Sequence, residues 1–461
     1  MKKKLAAVAM FAASAMALSA CGGSGEPAAP PTDTTPATGE STPAGEATAQ
    51  DITFWLIGGD TPQPLRDYLI SEYKEVNGGA LTIEEQTWGD IISKLTTSMP
   101  DAANTPDVTE IGNTQSPTFT NVGAFADISD MYQELGGDKL LQSFVEVGAV
   151  EGKNFTLPYY FGSRYMFYRK DVWQEAGVEV PKTLDEFNAA VKTITEKNPR
   201  NISDFSGFFL GGQDWRNGIS WVFANGGDLA KFENGAWVST LSDPNTIKGL
   251  EQLQDIQKNA SMAPSTARDT SPWLYINDSD AAKDAEGNVE AETSLAAATI
   301  MAPNWAHWSI GDLVKNDAGE DAREWNADKF GTFVLPGNDG NPAPVFAGGS
   351  NLGISAASQN QEGARDLLRI IFSAEYQTML GENGLGPANS DYVTALGDDE
   401  FAQAQIASSS NSKLTPAAPG WAAVEASMAL EEFFAKVADG GDIAALAAEY
   451  DAKLTPMLNG S

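Results

Sequence analysis

Residues 51–461 predict an α/β fold built on a parallel sheet, and three observations carry that expectation. Short runs rich in β-branched and aromatic residues end at Gly, Asp or Asn. Between them lie segments with apolar residues at helical spacing, and the two kinds alternate from Ile52 to Ile111. The run 52–57 reads as a buried strand and 58–62 as a turn. Leu65, Tyr68, Leu69, Tyr73 and Val76 share one helix face, which Asn77-Gly78-Gly79 ends. Leu81 and Ile83 open a second strand running to near Trp88, a short helix covers 91–99, and 106–111 forms a third strand. Strands separated by helices pair in parallel through right-handed crossovers, and ligands of such sheets sit beyond the carboxyl ends of the strands. Those ends are 58–60, 87–90 and 110–114.

Further along, 164–169, 205–210, 295–301 and 329–335 read as strands. Thr183-Leu184-Asp185-Glu186 is a capping box opening a helix with Leu184, Phe187, Val191 and Ile194 on one face. The acidic stretch 274–292 reads as a surface loop. Asp278 and Asp280 start a calcium-loop spacing, but position 282 is Ala and the Gly falls in the wrong place, so no metal site is expected. A Gly-rich turn at 346–350 leads into a strand ending near Ile354. One helix is expected over 363–380, and two amphipathic helices over 422–437 and 443–454 close the chain. Roughly 410 residues, 42% of the whole chain being hydrophobic, suggest two or three lobes.

The N-terminus has a different character. Lys2, Lys3 and Lys4 precede an apolar run, 5–20, too short to span a bilayer and built like an export signal. It ends in Leu18-Ser19-Ala20-Cys21, a lipobox pattern, which predicts signal removal after residue 20 and lipidation of Cys21. Cys21 is the sole cysteine, so neither a disulfide nor a thiolate metal site is expected. From Gly22 to Gln50 there is no Leu, Ile, Val or aromatic residue, and such a segment lacks the apolar surface to fold. About 29 residues of this kind reach roughly 30 Å, enough to tether a folded body to the outer face of a cell membrane.

The formal charge is −34, and removing the three signal lysines makes it −37. Clustered cations for nucleic acid or an anionic membrane are therefore not expected, and the charge favours a soluble monomer. His307 is the one histidine, too few for a Ser-His-Asp triad or a histidine zinc site.

Four segments, in order, resemble the extracellular solute-binding proteins of carbohydrate ABC importers, the maltose-binding-protein-like group. They are Pro106-Asp107-Val108 after a helix, and Thr156-Leu157-Pro158-Tyr159-Tyr160 with Met166-Phe167-Tyr168-Arg169-Lys170-Asp171-Val172-Trp173, similar to the family's "LPY…lYYNKDlF". The others are Ala296-Ala297-Ala298-Thr299-Ile300-Met301 through Trp305, and Leu335-Pro336-Gly337 with Gly348-Gly349 and the helix after Glu362. Arg169 stands where the family often has Asn. The resemblance implies a two-lobed, periplasmic-binding-protein-like (Venus flytrap) α/β fold with discontinuous lobes joined by a hinge. It places 51–160 with 337–390 in one lobe, and 161–336 with 391–461 in the other. It implies a carbohydrate ligand, an importer permease as partner, no cofactor and no catalysis.

A sugar presents C–H faces and a rim of hydroxyls, so its binder needs aromatic plates beside carboxylates, amides and backbone groups. Aromatic candidates at loop positions are Trp88, Tyr159, Tyr160, Trp215, Trp273, Trp305 and Trp421. Polar candidates are Asp60, Glu110, Asn113, Arg164, Asp214, Asn304, Ser350 and Asn351. Gly348 and Gly349 allow close backbone approach. Each has a structural alternative: core packing for the rings, capping or solvation for the polar groups. Trp55, Trp173 and Trp221 are expected in the core. Two rival functions are a secreted glycosidase, for which 63 acidic residues leave room for a carboxylate pair, and a binder of a non-sugar solute.

Overall fold

The computed structural model describes residues 49–268, 271–278, 280–283, 289–293, 295–315, 319–409 and 411–460. The export signal, Cys21 and the linker through residue 48 lie outside the described residues. Gln50, expected as the last linker residue, is pinned instead: its backbone N–H donates to Asn77 Oδ1 at 2.8 Å, and its Oε1 accepts from the Gly363 N–H at 2.6 Å.

Two sheets organise the rest. The larger has six strands in the order Gly386–Pro387, Thr156–Gly162, Gly348–Ile354, Val108–Gly112, Ile52–Ile57, Leu81–Gln86. The last three are parallel, with Ile52 opposite Leu81 and Phe54 opposite Val108. Gly348–Ile354 runs antiparallel to both its neighbours, so the sheet is mixed rather than purely parallel. An antiparallel strand needs no crossover helix, and this one enters from a distant part of the chain. The smaller sheet is antiparallel, with Arg164–Arg169 between Thr299–Pro303 and Phe330–Phe333.

Each sheet has its own core. Phe54, Leu69, Leu157, Tyr159, Leu352 and Leu367 belong to one. Met166, Trp173, Phe187, Trp221 and Phe346 belong to the other, together with Val424, Phe433, Tyr450 and Leu454 of the C-terminal helices. The chain passes between the sheets at Ser163, the single residue separating Thr156–Gly162 from Arg164–Arg169. Ser163 is buried. Its hydroxyl donates to Ser408 Oγ at 2.6 Å, and Ser408 Oγ donates to the Arg164 carbonyl at 2.7 Å.

Local chemistry explains most element ends. The capping box is present: Glu186 N–H donates to Thr183 Oγ1 at 3.3 Å, and Thr183 N–H donates to Glu186 Oε2 at 3.2 Å. The expected single helix over 363–380 is two, Gln361–Ile371 and Ala374–Glu382, because Ser373 caps the second by accepting from Tyr376 N–H at 3.2 Å. The helix expected over 422–437 likewise breaks into Trp421–Ala426 and Ala429–Ala438, with Met428 between them at φ 57°. The stretch 205–210 is no strand; it touches the smaller sheet through isolated bridges, Ser206 with Ala297 and Phe209 with Ile300. Part of the expected loop 274–292 is an antiparallel hairpin of Asp280–Lys283 and Val289–Thr293.

Arg169, the departure from the family pattern, is 1% exposed. It donates to Asp171 through Nε at 3.0 Å and Nη2 at 2.8 Å, and through Nη1 to Asp278 at 2.8 Å and the Ile276 carbonyl at 3.1 Å. Its guanidinium carbon lies 5.0 Å from the Phe330 ring centroid. Asp278, which began the calcium-like spacing, is thus committed to Arg169 and, at 2.9 Å, to Lys329. Breaking a buried charge network by removing one member costs roughly 3–5 kcal/mol. Arg169→Ala is expected to lower stability by about 3 kcal/mol, since Arg200 and Lys329 still neutralise the two aspartates. Urea unfolding reads this directly, and an unchanged midpoint would contradict the structural role.

Candidate functional site

The carboxyl ends of the parallel strands and the crossing at Ser163 meet at a cavity of about 610 Å³. From the larger sheet come Gly59, Asp60, Trp88 and Tyr160, together with the turn Gly348-Gly349-Ser350. Arg164, Asn304, Trp305 and Trp308 come from around the smaller sheet. Trp88, Trp305 and Trp308 are 41%, 45% and 66% exposed. Folded chains seldom gather three large indoles at the mouth of one cavity without a ligand to cover them.

Asp60 sets the geometry of the near wall. Its Oδ2 accepts from Trp88 Nε1 at 3.0 Å and from the Tyr160 hydroxyl at 3.2 Å, so one carboxylate orients two aromatic side chains. Gly58 makes room for this: its φ is 61°, and a Cβ there would stand 3.2 Å from the Trp88 indole. Glu110 lies behind Tyr160 and is fully buried. Its Oε2 accepts from Ile57 N–H at 2.8 Å, and its Oε1 is 3.1 Å from the Tyr160 hydroxyl. Burial pushes the Glu110 carboxyl up to about 7. One phenolic proton cannot fully satisfy both carboxylates. A protonated Glu110 removes the conflict by donating to Tyr160 Oη, leaving the phenol to donate to Asp60.

The far wall rests on the 3-10 turn Asn304–Ser309, in which residues three apart eclipse each other. Trp305 and Trp308 therefore sit on one side of it. Trp273 does not line the cavity; it packs edge-on against Trp305, with centroids 4.9 Å apart and planes at 73°. Asn304 is held by its backbone N–H on the Ser163 carbonyl at 2.9 Å and by its amide on Gln405 Oε1 at 3.2 Å. Arg164 donates to Asn217 Oδ1 at 2.9 Å.

Nine of the expected residues thus line one cavity: Asp60, Trp88, Tyr160, Arg164, Asn304, Trp305, Gly348, Gly349 and Ser350. The others do not; a strand irregularity accounts for one of them and strand alternation for another. Tyr160 reaches the cavity, whereas Tyr159, the extra residue at the register shift between this strand and Gly348–Ile354, is buried in the core beside it, ring centroids 5.0 Å apart, its hydroxyl 2.7 Å from that of Tyr376 and 2.9 Å from Thr61 Oγ1. Ser350 faces the cavity, so Asn351 points inward and donates to the Phe144 carbonyl at 2.9 Å. Asn113 is buried and holds the glycine turn: its N–H donates to the Gly349 carbonyl at 3.2 Å and its amide to that of Ala347 at 3.3 Å.

Asp214, Trp215 and Trp421 correct the loop placement. Asp214 caps the helix Trp215–Ala224, accepting from Asn217 N–H at 3.1 Å. Trp215 and Trp421 both begin helices and are buried edge to face, centroids 6.2 Å apart. Beside them Glu425 accepts from Arg216 at 3.4 Å and from Thr114 Oγ1 at 3.3 Å, and burial raises its carboxyl. Trp308 and the segment Asn383-Gly384-Leu385 line the cavity and were not anticipated. The Trp-x-x-Trp spacing after Pro303 is the local signal for Trp308; the second segment arrives by tertiary packing and has none.

A two-lobed α/β protein with a ring-lined cleft where its lobes meet is built to hold a small solute. The chain belongs to the bacterial extracellular solute-binding proteins, whose family model matches residues 68–408. It is 31% identical over 428 residues to the diacetylchitobiose-binding protein DasA of Streptomyces coelicolor, covering 92% of this chain and 91% of that protein. Its fold resembles that of the sugar-binding protein MalE from Xanthomonas citri, with TM-score 0.70, 19% identity, and coverage of 89% of this chain and 97% of that one. It also resembles the cyclic alpha-maltosyl-1,6-maltose binding protein of Arthrobacter globiformis, with TM-score 0.67, 16% identity, and coverage of 89% and 100%.

The position of Glu110 has a consequence for stability. Raising a carboxyl from 4.5 to about 7 corresponds to something on the order of 3 kcal/mol. Because the folded state holds the proton more tightly, this stabilisation is full below pH 4.5 and is lost as pH rises through about 7. Glu110→Gln mimics the protonated acid and is expected to flatten the melting temperature across that window. Thermal unfolding of both proteins in a pH series checks it; parallel curves would show that Glu110 is not the group responsible.

Proposed function

We propose that this protein captures a short oligosaccharide at the outer face of the cell membrane and delivers it to the permease of an ABC importer. The observation that carries the reading is the cavity in which Trp88, Trp305, Trp308 and Tyr160 stand beside Asp60, Asn304 and Arg164. Indole and phenol faces complement the C–H faces of a pyranose, and the polar groups complement its hydroxyls. Asp60 is the one carboxylate among the described residues lining that cavity. Glycoside hydrolysis generally uses two, which favours retention over turnover. Likeness to DasA makes a diacetylchitobiose-type sugar the first ligand to try.

In the proposed mechanism, 51–160 with 337–390 form one lobe and 161–336 with 391–461 the other, hinged near Ser163. The distribution of strands between two sheets and of apolar side chains between two cores supports a division into two lobes, with Phe346, inside 337–390, packing in the second core. A sugar touching both walls binds the closed arrangement better and shifts the population toward it, and the permease reads the closed form. Lipidation of Cys21 and the polar linker would keep the monomeric body at the membrane.

Trp305→Ala is expected to weaken binding of N,N′-diacetylchitobiose at least tenfold by calorimetry while leaving the melting temperature within about two degrees. Unchanged affinity would remove Trp305 from the site. Chromatography of the incubated sugar separates the enzyme reading: released monosaccharide means hydrolysis. For the anchor, Cys21→Ala is expected to move the protein from the membrane fraction to the medium, and continued sedimentation with membranes would refute lipidation at that residue.

A further inference from the structure

We propose that the sugar cleft continues past Trp308 into a second subsite built on His307, so that the protein takes chains longer than a disaccharide. This rests on the sugar-binding reading above and extends it. A neighbouring groove of about 350 Å³ shares Asn304, Trp308, Asn383 and Gly384 with the main cavity. The two hollows adjoin along these four residues, with Trp308 lining both. An indole 66% exposed at such a junction offers its face to consecutive sugar rings.

His307 lines the second groove, and its state follows from its partners. Nδ1 lies 2.6 Å from the Asn304 carbonyl, which can only accept, so Nδ1 carries the hydrogen. Burial pulls the ring's pKa below that of an ordinary histidine and favours the neutral imidazole. The ring stacks on Phe401, centroids 4.5 Å apart and planes at 24°, which fixes its plane. Nε2 is left as a hydrogen-bond acceptor of fixed orientation, the group a sugar hydroxyl seeks. The surrounding wall is braced: Asp399 accepts from the N–H groups of Phe401 and Ala402 at 3.0 and 2.8 Å, and Gln405 accepts from Asn304. A lone histidine, too few for a triad or a zinc site, thereby acquires a role in recognition.

The test compares chain lengths on the full protein by calorimetry, using N,N′-diacetylchitobiose against tetra-N-acetylchitotetraose and maltose against maltotetraose. In the series that binds, the tetrasaccharide is expected to bind at least tenfold tighter than the disaccharide. His307→Phe keeps a ring on Phe401 and removes the acceptor; it is expected to bring the two lengths to within about twofold while the disaccharide affinity holds. Equal affinities for both lengths in the wild-type protein overturn the subsite even if the variant does not fold. An equal loss for both lengths in His307→Phe overturns it too, because the histidine then acts through the main cleft. In either case disaccharide binding leaves the sugar-binding reading standing. Binding of neither series removes sugar capture itself and the subsite with it.

Discussion

Thr156–Gly162 and Arg164–Arg169 belong to different sheets yet are separated by one residue, so the two sheets cannot drift apart along that edge. The constraint is covalent, and hydrogen bonds from Ser163 to Ser408 and from Ser408 to Arg164 reinforce it. Asn304 is fastened to the same point through the Ser163 carbonyl, which brings the turn carrying Trp305 and Trp308 opposite the strand ends carrying Asp60 and Trp88. The cavity is thus a product of topology. Side chains furnish its walls, but its position follows from where the chain changes sheets.

The near wall shows how a polar group can order aromatic ones. Tyr160 and Trp88 have polar edges that need partners, and Asp60 satisfies both. Glu110 supplies the support behind. Its own partners are the Ser350 hydroxyl, a backbone N–H and a phenol, and none of these is a cation that would hold it ionised. That is why burial dominates and its carboxyl rises. Arg169 is the opposite case, a cation buried on the far side of the crossing and matched by two aspartates.

Much of this was legible locally. The strands and helices from Ile52 to Gly112 follow apolar periodicity, and Trp88 and Trp305 stand just beyond strand-like runs, where ligands of open sheets gather. Strand alternation was equally available for Ser350 and Asn351, which cannot both face one cavity, whereas the register shift that leaves Tyr159 unpaired beside Tyr160 is set by the partner strand. The reading of Trp215 and Trp421 as platforms failed for a physical reason. Their polar neighbours, Asp214 and Asn217 above all, serve a helix cap, and the packing of the two indoles on each other joins positions about 200 residues apart. No window of sequence contains that contact. The antiparallel insertion of Gly348–Ile354, which makes the sheet mixed, is long-range in the same way.

The proposed closure also requires that the two cores be joined weakly. Apart from the chain crossings, a contact between them runs from Thr114, just after Val108–Gly112, to Glu425 on a helix packed in the other core. At 3.3 Å it is a long hydrogen bond, and the Arg216 bond to the same carboxylate is 3.4 Å. Glu425 is raised by burial, so its ionised form is only partly compensated there. Such bonds resist relative motion far less than a shared apolar core would, and beside them only a small apolar cluster, Phe144, Phe161 and Ala347 with Val393, Leu396 and Leu414, is described. In the proposed mechanism, a ligand contacting both walls would then need to supply only modest differential affinity to set the position of the equilibrium.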